Sequence, residues 1–134
     1  MPPGADQTKM AEFWASQTEA QLATQLRTIH CDSHGKGAAE VGVLVAEDTI
    51  AVFLDGFELQ PSEQYLIDAG AADQVIAKRS RSQEMIEHTY RAAVERTTGR
   101  RVVSFASATK LEPNYTVQVF RLAPVHGSSA ADST

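Results

Sequence analysis

Residues 73 to 108 constrain this chain more than any other stretch. Ile86, Tyr90, Ala93, Val94 and Thr97 stand at i, i+4, i+7, i+8 and i+11, one face of a 3.6-residue period. Glu84, Glu87, Arg91 and Glu95 fall off that stripe, and Glu87 precedes Arg91 by four positions, a favourable helical ion pair. Gly99 is placed to close the helix in the left-handed conformation, and Arg96 to meet the negative end of its dipole. From Arg101 to Ala108 the composition turns β-rich. An apolar helical stripe needs a second layer over it, so the pattern predicts a two-layer α+β domain with this helix as its spine. The basic run Lys78-Arg-Ser-Arg81 reads as a solvated face. A break over residues 78–82 is the alternative to one helix, and the unbroken pattern favours one helix.

The other elements follow from local signals. Residues 1–8 read as a disordered lead, 9–124 as a single domain and 125–134 as a disordered tail. Asp6 or Thr8 can cap a first helix running to about Cys31, with Leu22, Leu26 and Ile29 at helical spacing and a weakly apolar stretch at 17–21 where it could break. Phe13 and Trp14 read as core or dimer contacts. Val41–Ala46 and Ile50–Asp55 alternate as two strands of a hairpin, and Gly56 turns the chain out. Pro61 suits the first position of a short helix, where Glu63 can reach back to cap position 60. Leu111–Asn114 is a turn, and Tyr115–Leu122 the last strand. The expected order is α-β-β-α-α-β-β, with helices on one face of a four-stranded, mainly antiparallel sheet whose strand order stays open. The face without helices is expected to be apolar at Phe120 and Leu122, which predicts a homodimer.

A net charge of −5 over 134 residues argues against a nucleic-acid platform or an anionic-membrane binder. The single cysteine, Cys31, excludes an internal disulfide, so a cytoplasmic location is the default. No apolar run approaches the roughly 20 residues of a membrane span, so direct insertion is not expected. No Walker loop, dinucleotide fingerprint, nucleophile elbow or zinc-protease motif occurs. No cofactor, metal site or catalytic set is expected. Cys31 and His34 supply only two ligands at metal-like spacing. The turn after the first helix has two readings. One is a helix cap and connection. The other is a weak anion site built from Gly35, Lys36 and Gly37, flanked by His30 and His34 and joined by Arg79.

Five blocks carry a further resemblance, in order. Ile29-His30 with His34-Gly-Lys-Gly37 matches a family turn ending in Gly-Lys-Gly-Pro. Asp48 to Gly56 matches a family strand, and Leu59-Gln-Pro-Ser-Glu63 its Leu-Thr-Pro-x-Glu helix start. Thr98-Gly-Arg-Arg-Val-Val103 and Val117-Gln-Val-Phe-Arg-Leu122 match its last two strands. Over residues 22 to 123 the chain resembles the MpsC-like family, a bacterial domain family long without an assigned function. Ala38 replaces the family's proline, and Gln60 its threonine. Cys31, Asp32 and Ser33 stand where the family is acidic or aromatic. The resemblance implies a non-catalytic accessory component of a cation-translocating, potential-generating membrane system. Its partner would be a membrane transporter subunit, linked to inorganic-carbon (bicarbonate) uptake. A small-anion-sensing dimer and an enzyme using His30, Cys31 or Glu63 are the competing readings.

Overall fold

A computed structural model describes residues 3–34 and 40–125. Helix α1 spans Pro3–His34, followed by strands β1 (Glu40–Ala46) and β2 (Thr49–Asp55). Helices α2 (Pro61–Asp68), α3 (Ala72–Met85) and α4 (Glu87–Thr98) come next, then β3 (Val102–Lys110) and β4 (Tyr115–Leu122). The strands form one antiparallel sheet in the order β1-β2-β4-β3, so the two hairpins join through β2 and β4. This is the α+β fold expected, with one more helix. The side chains of Phe13 and Trp14 lie outside the described set, as do residues 126–134.

Helix α1 starts at Pro3, inside the expected lead, and runs through residues 17–21 without a break. Thr18, Leu22, Leu26 and His30 recur every four residues, and all four are buried. The helix lies on β1 and α4. Its Glu19 Oε2 accepts a hydrogen bond from Val45 N–H at 3.0 Å, and Gln25 donates to Thr97 Oγ1 at 2.8 Å.

The predicted spine is two helices. The chain breaks at Ile86, where φ is −108°, and not at the basic run. No glycine or proline marks the place. Tyr90, Ala93 and Val94 are fully buried as expected, whereas Ile86 is half-buried. Glu87 and Arg91 form their ion pair at 2.7 Å. Gly99 adopts φ 69° and closes α4 by donating its N–H to Glu95 O at 2.8 Å.

The helices cover one face of the sheet. That face carries Val43, Ile50, Val52 and Leu54, and from β4 Thr116, Gln118, Phe120 and Leu122. The sequence placed Phe120 and Leu122 on the uncovered face, and the structure corrects this. Both are core residues, and Phe120 packs against Phe105 with ring centroids 5.0 Å apart. It is Val117 and Val119 that point away from the helices.

Candidate functional site

The expected anion site lies largely outside the described residues. Gly35, Lys36, Gly37 and the side chain of His34 are not described. His30 is 1% exposed, on the core side of α1. Arg79 belongs to neither a solvated face nor the α1 turn. It is 4% exposed, and its guanidinium is occupied on α3.

That guanidinium builds the most developed charged site of the fold. Arg79 Nε donates to Glu63 Oε2 at 2.8 Å, and its NH2 group to Glu63 Oε1 at 2.8 Å, a two-pronged pair. The same nitrogen donates to Glu58 O at 3.1 Å. The guanidinium carbon stands 3.9 Å from the ring centroid of Phe57, which covers the pair from solvent. Glu63 Oε1 also accepts Gln60 N–H at 2.8 Å, so one carboxylate caps α2 and neutralises Arg79. Lys78 reaches Gln60 Oε1 at 3.4 Å. Burial pushes the Glu63 carboxyl up, but its hydrogen bonds to Arg79 and Gln60 and the charges of Arg79 and Lys78 outweigh this. The group ends below the usual carboxylate range.

A cleft of about 390 Å3 opens between α2, α3 and the β3–β4 turn. Leu59, Ile67, Ile76 and Leu111 line it, with Lys110 and Glu112 among its polar residues. A second polar group sits inside the core. Gln118 donates to Gln83 Oε1 at 2.7 Å, and Thr109 and Thr116 share a hydroxyl contact at 2.9 Å. The Tyr90 hydroxyl lies next to both glutamines without a well-aligned hydrogen bond, and burial pushes its pKa up. Among the described residues, no three His, Cys, Asp or Glu side chains converge as metal ligands.

A third cluster ties remote segments together. Arg100 bonds Asp48 Oδ1, Glu47 O at 2.9 Å and Ala123 O at 2.7 Å. Leu122 N–H donates to Asp48 O at 2.7 Å. The β1–β2 turn, the end of α4 and the end of β4 thus meet at one guanidinium.

A family model described as "Na+-translocating membrane potential-generating system (MpsC)" matches residues 15–124. The chain belongs to the MpsC family. No curated relative and no solved structure matches it. The MpsC blocks read from the sequence now have physical roles. Asp48 and Arg100, from two blocks, meet in this third cluster, and Glu63, from a third block, neutralises Arg79. These MpsC positions hold the fold together. Among the described residues of this MpsC chain, no helix is long and apolar enough to cross a membrane.

The buried role of Arg79 escaped the sequence reading, although a signal was there. Val75, Arg79 and Gln83 stand at i, i+4 and i+8, and all three are buried. Periodicity placed Arg79 inward, and its charge argued the opposite.

Proposed function

We propose that this protein is a non-catalytic accessory subunit of a Na+-translocating, membrane potential-generating system. It acts from the cytoplasmic side, as a homodimer, on a membrane subunit that carries inorganic carbon as bicarbonate. The family match over residues 15–124 carries this reading. The geometry supports it, because Asp48, Glu63 and Arg100 of the family blocks are engaged in internal contacts. Arg79 is neutralised by Glu63 and Arg100 is held by Asp48 and two carbonyls. A role in binding and positioning a partner fits such a scaffold better than turnover does.

The test is functional and local to the membrane. Inverted vesicles from cells lacking the protein are expected to show a reduced Na+-dependent membrane potential, restored by adding the purified chain. The chain is also expected to co-sediment with vesicles only when the membrane subunit is present. Unchanged potential together with no subunit-dependent binding would overturn the reading.

A further inference from the structure

The face of the sheet that the described helices leave open is apolar along its middle, although not at the residues the sequence suggested. Cross-strand register sets Leu44, Ala51, Val119 and Ala106 in one row across all four strands, with Phe53 and Val117 central in the next row. Leu44 is 60% exposed. Strand β4 turns Thr116 and Gln118 into the core and Val117 and Val119 outward, the reverse of what a water-facing surface selects. An apolar band that crosses a sheet from edge to edge suits coverage by another surface.

We infer that a second copy of this chain covers it, packed face to face about a two-fold axis parallel to the strands and midway between β2 and β4. The rows flanking the band decide the partner and the axis. One row reads Glu40, Asp55, Tyr115, Lys110 from β1 to β3, and the other Ala46, Thr49, Arg121, Ser104. A two-fold axis along the strands keeps each row and reverses the strand order. Glu40 then faces the partner's Lys110, Asp55 the partner's Tyr115, and Thr49 the partner's Arg121. Across the band, Leu44 meets the partner's Ala106, a large side chain against a small one. An axis perpendicular to the strands instead sets Glu40 on alanine and Lys110 on serine, and pairs no charge. Twist offsets such stacked sheets by about 30°, so these residues are neighbours across the interface and not superposed.

The sheet edges are partly occupied, which leaves the face as the larger free surface. Val45 N–H is taken by Glu19 at 3.0 Å and Val102 N–H by Glu95 at 2.9 Å. Strands about 4.8 Å apart, each roughly seven residues long, give a face of roughly 400 Å2 per copy. That is about half the roughly 800 Å2 per partner of a standard interface, so the dimer is expected to be weak and reversible. The inference rests on the homodimeric part of the functional reading and not on its membrane part.

Sedimentation velocity of the full chain over a concentration series tests it, with circular dichroism to verify folding. The wild type is expected to pass from monomer to dimer as concentration rises. Phe53→Glu is expected to weaken dimerisation at least about tenfold, because it buries an unpaired carboxylate. Leu44→Glu, on an exposed position of the edge strand, is expected to do the same and serves if Phe53→Glu does not fold. Glu40→Lys and Lys110→Glu should each weaken the dimer, and the two together should restore it. A wild type that stays monomeric, or a dimer indifferent to Phe53→Glu and Leu44→Glu, overturns the inference. A charge-reversed pair that fails to recover overturns the axis. A monomer whose face binds only the membrane subunit overturns self-association while leaving the accessory role standing.

Discussion

Glu63 caps a helix with the same carboxylate that neutralises a buried arginine, and this makes it sensitive to pH. Its folded pKa is depressed, so the stability it contributes is fully present above its unfolded pKa, roughly 4.3. That stability is lost as pH falls through the lower folded value. Glu63→Gln should therefore cost about 3 kcal/mol at neutral pH, since it leaves the Arg79 charge buried against a neutral amide. The deficit should shrink on acidification into the range where wild-type Glu63 is itself protonated. Urea denaturation of both proteins across pH would check this. Gly99 gives a cleaner case. A Cβ there meets no atom within 4 Å, so Gly99→Ala should cost about 1 kcal/mol through its φ of 69° alone. Thermal unfolding that matches wild type would refute the argument. Both residues were legible in the sequence because capping and backbone sterics are local. Arg79 was not, because its partner lies sixteen positions away and only packing brings the two together.

At the scale of elements, the sequence gives phase more readily than continuity. Val75, Arg79, Gln83, Ile86, Tyr90 and Val94 keep one helical phase across Ile86, so no periodicity argument registers the break between α3 and α4. Strand β4 shows the opposite difficulty. Its alternation was read correctly, yet which half faces inward depends on the helices above it. Phe120 and Leu122 share their side of the strand with Thr116 and Gln118, and this polar pair goes in with them. The buried amide pair is therefore a fair test of the packing. Gln118→Leu alone should cost about 1 to 3 kcal/mol, because it strands the Gln83 amide away from water. Adding Gln83→Leu should recover most of that loss. A double-mutant cycle that finds the two changes additive would show that the pair does not act as a unit.

For the whole molecule, the fold class, the hairpins and the helix-covered sheet were all legible, since hydrophobic period and turn residues encode them. The strand order was not, because both hairpins present two edges and local sequence does not choose among them. The candidate anion turn at Gly35, Lys36 and Gly37 could be named but falls outside the described residues. The order β1-β2-β4-β3 carries a consequence for biosynthesis. Strand β4 is central in the sheet, yet it is the last of the four to leave the ribosome. Until it emerges, the β1–β2 hairpin has no inner neighbour, and Asp48 and Arg100 lack the β4 end that completes their cluster. Closing β2 on β4 spans about half the chain, which makes the pairing non-local and entropically costly. Nascent chains halted before Tyr115 should thus be cut rapidly by protease, with resistance appearing in one step once Leu122 has cleared the exit tunnel. Folding waits for β4, so a chaperone that acts before this strand emerges meets a sheet without its central member.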